Sequence, residues 1–287
     1  MESPGPGRRR HSVRITERDR ELLTFAAEHR LVLADHVQKL LGVSGATAYA
    51  RLRALTVAGM LSQRTVFHHR PGCYQITRTG LGLVGSQLPR PGLNLNCYDH
   101  DVGVAWLWLA ARAGTFGPLR EVLSERWLRS HDASPDGRAQ PYAVRLGGVG
   151  ANGQPRLHYP DLLLIDSGGR RIALELELTP KGRTRREKIL AGYGADPSID
   201  VVVYLTDQNG IARSVQASAA RLGISDRVHV QHIDQPASTR AASASAAAQR
   251  ARPTEKRPRA KPERTPAKPA PARRTRTPPS PERGAVL

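Results

Sequence analysis

Apolar positions recur at two different periods along this chain, and the change of period divides it. Near the start the period is helical. From Leu31 to Gly42, Val37, Leu40 and Leu41 fall on one side of a short helix. Gly42 closes that helix, and Ser44 is placed to cap the next. In the next helix Leu52, Leu55 and Tyr49 are expected inward, which leaves Thr47, Arg51 and Arg53 for solvent. Gly59 ends it. Met60 to Val66 then reads as a strand, His69 to Gly72 as a turn, and Cys73 to Thr77 as the returning strand. An earlier helix, capped by Thr16, turns Leu22, Leu23 and Ala26 to the same core.

Further on the pattern changes. Asp99 to Arg112 reads as an amphipathic helix with Val104, Leu107 and Trp108 inward, and Leu119 to Leu128 as a strand or short mixed element holding Glu125. His131 to Pro155, rich in Gly, Pro and Asp, reads as a loop with Gly147 to Gly150 at its tip. Tyr159 to Ile165 and Arg171 to Leu178 then flank a turn at Asp166 to Gly169, the arrangement of a β-hairpin. Strict alternation puts Ile172, Leu174, Leu176 and Leu178 on one face and Ala173, Glu175, Glu177 and Thr179 on the other. A basic helix (Arg183 to Tyr193), a buried strand (Val201 to Leu205), a helix (Ile211 to Leu222) and a strand (Val228 to His232) complete an α/β sheet.

These elements predict an α+β winged helix-turn-helix over residues 15–90, then an α/β domain over 95–234, with Pro89 to Gly92 as a hinge. In a winged helix the second helix enters the major groove of DNA while a basic hairpin lies along the phosphates. Thr47, Arg51 and Arg53 are the expected contacts from the helix, and Arg64 and Arg70 those from the wing. Residues 1–14 read as a disordered Gly, Pro and Arg-rich arm, and 235–287 as a disordered Pro, Ala and Arg-rich tail that cannot bury enough apolar surface to fold.

Charge fits the same partner. The formal net charge is +19, from 44 Lys and Arg against 25 Asp and Glu. Residues 236–287 hold 13 basic and 3 acidic residues, 15–90 hold 10 and 5, and 91–235 hold 17 and 16. The excess therefore sits in the tails and the first domain, where it draws the chain to a polyanion without specifying a sequence. No apolar run is long enough to cross a membrane, and Met1 to Arg10 lacks the apolar core of a secretory signal. Two isolated cysteines, Cys73 and Cys97, make neither a disulfide framework nor a metal knuckle, and a reducing cytoplasm suits them. No Walker-type phosphate loop is present. His68-His69 reads as an exposed pair in the wing, and His100 as a surface cap.

Pro160-Asp161, a hairpin and then Glu175-x-Glu177 resemble the PD-(D/E)xK nuclease signature of restriction-endonuclease-like domains. The wider set is similar to the replication-relaxation family of actinobacterial plasmids and integrative elements: the winged helix, His100, Ser124-Glu125, Pro160-Asp161, Glu175-Leu176-Glu177 with Lys181, and a basic helix ending in Tyr193. That resemblance covers residues 15–234. It implies a DNA-binding protein of a mobile element acting in plasmid replication, transfer or their regulation. Double-stranded DNA would be its partner, with a second copy of the chain and replication or transfer proteins as further candidates.

The nuclease signature implies Mg²⁺ or Mn²⁺ held by Asp161 and Glu175, with Glu125 as a third carboxylate, since hard cations take carboxylate oxygens. It also implies catalytic roles for Asp161, Glu175, Glu177 and Lys181. Glu177 occupies the place where the signature has its lysine, so Lys181 or Lys188 would have to reach in from the next element. Three readings follow: a binder indifferent to metal, a metal-dependent endonuclease or nickase, and a protein-interaction platform. The nuclease reading makes one geometric demand, that Asp161 share the sheet face of Glu175 and Glu177. A three-residue turn (Ser167 to Gly169) sets Asp161 across from Glu175, whereas a two-residue turn sets it across from Leu176 on the wrong face.

Overall fold

The computed structural model describes residues 14–68, 70–138, 140–150 and 153–234. The expected tail, and all of the expected arm but Arg14, lie outside these residues.

Three helices come first: α1 (Glu17–Glu28), α2 (Ala34–Leu41) and α3 (Gly45–Val57). A capping box opens α1: the Asp19 carboxylate accepts from Thr16 N–H at 2.7 Å, and the Thr16 hydroxyl accepts from Asp19 N–H. Gly42, at φ 62, turns the chain between α2 and α3, and the Ser44 hydroxyl caps α3 by accepting from Thr47 N–H. Ala48, Leu52 and Leu55 form the buried stripe of α3. Tyr49, expected inward, is instead 47% exposed, because the neighbouring small Ala48 takes the position facing the core.

Strands β1 (Leu61–Arg64) and β2 (Cys73–Ile76) pair antiparallel, with Arg64 across from Cys73. Val32 and Tyr74 exchange backbone hydrogen bonds of 2.9 and 2.8 Å, tying β2 to the segment ahead of α2. Helix α4 (Arg78–Leu83) follows from its Thr77 cap.

The second half is built on α5 (Tyr98–Arg112), β3 (Leu119–Ser124), α6 (Glu125–Ala133), β4 (Val144–Val149), β5 (Pro155–His158), β6 (Leu162–Asp166), β7 (Arg171–Leu176), α7 (Arg183–Ala195), β8 (Val201–Thr206), α8 (Asn209–Arg221) and β9 (Val228–His232). Five strands form one sheet in the order β3-β6-β7-β8-β9. The first three pair antiparallel, and β7-β8 and β8-β9 pair parallel across the crossover helices α7 and α8. The molecule is thus mixed α and β around a mixed sheet. In α5, Trp108 is buried as expected, while Val104 and Leu107 are half-buried and Val102, Ala105 and Leu109 take the deeper positions. Glu125 begins α6 rather than lying in a strand, since Ser124 caps that helix. The expected loop over 131–155 contains strand β4; its glycines adopt positive φ at Gly147 and Gly148, which hid the strand from a pattern of side chains.

The turn between β6 and β7 has three residues. Asp166 N–H donates to Arg170 O at 3.0 Å, and the ladder runs Leu162↔Leu174 through Ile165↔Arg171. One step further along that register, Asp161 stands across from Glu175.

Two cores sandwich the sheet. Leu162, Leu164, Leu174, Leu176, Val203 and Leu205 face a core that runs through α5 into α1, α2 and α3. The approach is close: a Cβ on Gly103 of α5 would stand 2.5 Å from Leu176 Cδ2. Leu163, Ile165, Ala173, Val202 and Tyr204 face the second core, with α7 and α8. The Pro89–Gly92 link, expected to be a hinge, is pinned: Arg126 donates to the carbonyls of Ala27 and Pro89, and Gln75 to those of Arg30 and Pro91.

Candidate functional site

Asp161, Glu175, Glu177 and Lys181 converge at one end of the sheet. Alternation along β7 gives Glu175 and Glu177 the face of the second core, where Tyr193 of α7 meets Glu175, while Asp161 reaches His100 of α5. Glu175 and Glu177 are 1% and 2% exposed, and are no solvated strand face. Lys181 follows in the segment leading to α7. Its Nζ lies 3.2 Å from Glu177 Oε2 and 3.9 Å from Glu175 Oε2, and its backbone N–H donates to Glu177 Oε1.

Each carboxylate already has partners. Asp161 Oδ2 accepts from Leu176 N–H at 2.8 Å and lies 3.1 Å from His100 Nε2. Glu175 Oε1 is 2.6 Å from His158 Nε2 and accepts from the Tyr193 hydroxyl at 2.5 Å. His100 thus belongs to this centre and is not a surface cap; it also lies 3.7 Å from Asp101. His158 went unnoticed in the sequence, although it stands only three residues before Asp161. The arginines that might have neutralised the two glutamates are committed elsewhere: Arg183 to Glu187, and Arg186 to Ser218.

The electrostatics are mutual. Burial would lower the pKa of His100, but Asp161 and Asp101 outweigh it and hold the ring well above the usual histidine value. Burial would raise Asp161, and His100 outweighs that, leaving it below the usual carboxylate value. In the same way burial opposes the charge on His158 and on Lys181, and the facing carboxylates overcome it, so both are raised. The centre therefore gathers carboxylates around Lys181 and two histidines, and each histidine is raised by the carboxylates that face it.

Glu125 stands apart from this group. Its carboxylate takes Arg30 and Arg129, each at 2.8 Å, and only its backbone N–H meets Asp161, at the carbonyl. Lys188 is exposed on α7. Among the described residues no three His, Cys, Asp or Glu side chains are grouped to hold a metal ion. With Glu175 Oε1 shared by an imidazole and a phenol, Asp161 Oδ2 bonded twice and Glu177 held by Lys181, this centre does not fit a divalent cation.

The expected DNA contacts divide in two. Thr47 and Arg53 are exposed on α3, and Arg64 is exposed at the end of β1. Arg51 is drawn inward to form two hydrogen bonds with the fully buried Asp19 carboxylate, and it also donates to Arg14 O. Burial would raise Asp19, and Arg51 with Thr16 outweighs it, so this carboxyl lies below its usual value. Arg70 bonds Asp99 at 2.8 Å and lies over the rings of Phe67 and Tyr98, its side chain only 10% exposed. His69 lies outside the described residues.

No helix among the described residues is long and apolar enough to cross a membrane. No protein-family model and no curated protein matches this chain. Five solved chains match, among them one described as PigF with SAH, which is 15% identical over 76% of this chain with a TM-score of 0.19. The chain spans 57% of that structure's length, and so loose a superposition carries no argument.

Proposed function

We propose that this protein binds double-stranded DNA through α3 and the β1-β2 hairpin, as a winged helix-turn-helix. The observation that carries the reading is a helix supported from behind and free of acid in front. Ala48, Leu52 and Leu55 anchor α3, while Thr47, Tyr49 and Arg53 are exposed on it. Between Asp35 and Asp99 the sequence has no acidic residue and seven Lys or Arg. A helix so mounted fits a major groove, and Arg64 on the hairpin reaches phosphate. Arg51 and Arg70, spent on Asp19 and Asp99, support the fold and leave the contacts to Arg53, Thr47, Tyr49 and Arg64. The resemblance to replication-relaxation proteins suggests a role in plasmid replication, transfer or their control. A restriction-endonuclease-like ancestry for the sheet domain agrees with the positions of Asp161, Glu175 and Lys181, whose mutual ion pairs and hydrogen bonds favour a structural centre in a binder.

The test is binding of the full chain to a labelled duplex as salt is varied. Arg53→Ala with Arg64→Ala is expected to weaken binding and to lower the slope of log affinity on log salt by about 2, roughly one unit per lost phosphate contact. An unchanged slope removes this surface from the reading. Supercoiled plasmid incubated with Mg²⁺ or Mn²⁺ is expected to stay supercoiled; relaxation that Asp161→Ala abolishes would instead establish a nuclease.

A further inference from the structure

The β4-β5 pair takes no part in the five-stranded sheet. It forms an arm packed on α7, and its sequence from Val144 to His158 holds Arg145 and Arg156 without a single acidic residue. The ladder sets Val144 across from His158 and Arg145 across from Leu157. Cross-strand partners share a face. The inner face therefore holds Val144, buried in the second core, and His158, bonded to Glu175. The outer face holds Arg145 and Leu157.

That outer face is open. Leu157 is 43% exposed, Val149 is 63% exposed and Arg145 is exposed; Arg156 is exposed too, although alternation gives it the face of His158 rather than that of Leu157. The arm meets α7 at Gly192, where a Cβ would stand 2.8 Å from Arg145 O. Lys188 and Arg185 precede Gly192 by four and seven residues, so they continue the same stripe of α7 beside the arm. Both are exposed, and among the described residues neither they nor the two arm arginines form an ion pair. Asp196, which borders the same groove, has its Oδ1 engaged by Ser198 N–H.

We propose that this arm and the exposed stripe of α7 form a second contact with double-stranded DNA, separate from α3. Arg145, Arg185 and Lys188 meet phosphates, while Leu157 and Val149 lie against the groove edge. Exposed aliphatic side chains flanked by arginine suit a minor groove, whose walls are apolar sugar and whose rims are phosphate. This inference rests on the DNA reading above for the nature of the partner, but on different residues.

Photo-cross-linking tests the two surfaces apart. The full chain is made with p-benzoylphenylalanine in place of Leu157 or, separately, of Arg53, both exposed, and irradiated with a labelled duplex of about 40 base pairs at low salt. Adducts from both positions are expected. Adducts from position 53 alone overturn the arm contact and leave α3 in place. Adducts from position 157 alone overturn the α3 reading and leave the arm. Adducts from neither overturn both. In a second measurement, Arg145→Glu with Lys188→Glu is expected to weaken binding about tenfold or more and to flatten the salt slope by about 2. An unchanged slope overturns the arm contact.

Discussion

Two pairs of histidines, one buried against α5 and one half-buried at the end of the sheet, have their pKa values pushed in opposite directions. His29 and His36 lie in the seam between the first helices and α5, against Phe25, Trp106 and Trp108. Burial pushes both down to about 3, helped at His29 by the charges of His36 and Arg126. His100 and His158 are also largely enclosed, yet facing carboxylates hold both above the usual value. Enclosure alone does not fix the state of a histidine; the nearest counter-charge does. The seam is held by apolar packing around neutral rings, and the centre by ion pairs around charged ones. The two regions should therefore fail under different conditions.

The largest expected effect comes from acid acting on the seam. Unfolded histidine titrates near 6.5 and these two, when folded, near 3. As pH falls between those values the unfolded state binds protons first, so stability is lost, by about 1.4 kcal/mol per pH unit for each ring. From about pH 6.5 to 4.5 the pair would cost about 5 kcal/mol. Urea midpoints should fall steeply over that window, and His36→Gln should flatten the fall. The centre works in the other direction. Its raised histidines contribute most below 6.5 and lose that contribution as pH rises through their folded values. A midpoint that does not move between about pH 7 and 5 would contradict the neutral seam.

Next in size is removal of one member of the centre. Glu175→Ala leaves the His158 ring and the Tyr193 hydroxyl without their acceptor, while Lys181 keeps Glu177. The loss of a buried partner of this kind costs about 3–5 kcal/mol. Tyr193→Phe removes one hydrogen bond to a charged group and should cost about 1.5–3 kcal/mol. Equal, small losses for both would mean that the centre is wet and loosely held. Denaturant melts at pH 7 separate these outcomes.

Much of this contrast was legible in the residues themselves. Alternation from Ile172 to Thr179 placed Glu175 and Glu177 on one strand face, and the turn residues allowed the register that brings Asp161 opposite Glu175. Periodicity could not say whether that acidic face met water or a helix. The answer depends on α7 crossing over it, a contact distant in sequence. His158 was missed because its strand has only four residues, nearly all exposed, and pairs with a glycine-rich partner, so no pattern marked it as a strand. Arg51 was misjudged for a similar reason: it stands on the polar side of α3, and nothing local shows that Asp19, 32 residues earlier, waits across the bundle.

Arg51 and Arg53 give the sharpest and smallest test, because they sit two residues apart on one helix and point to different fates. Arg51→Ala strips the buried Asp19 carboxylate of its cation and leaves only the Thr16 contacts, so stability should fall by about 1–3 kcal/mol. DNA affinity of the protein that remains folded should stay unchanged. Arg53→Ala touches an exposed side chain and should shift stability by no more than about 0.5 kcal/mol. It should nevertheless weaken binding and lower the salt slope by about 1. The pair thus predicts a crossed result, with stability following one arginine and affinity the other. If both substitutions weakened binding equally at matched folded fraction, Arg51 would have to leave Asp19 on the complex, and α3 would need a rearrangement to engage DNA.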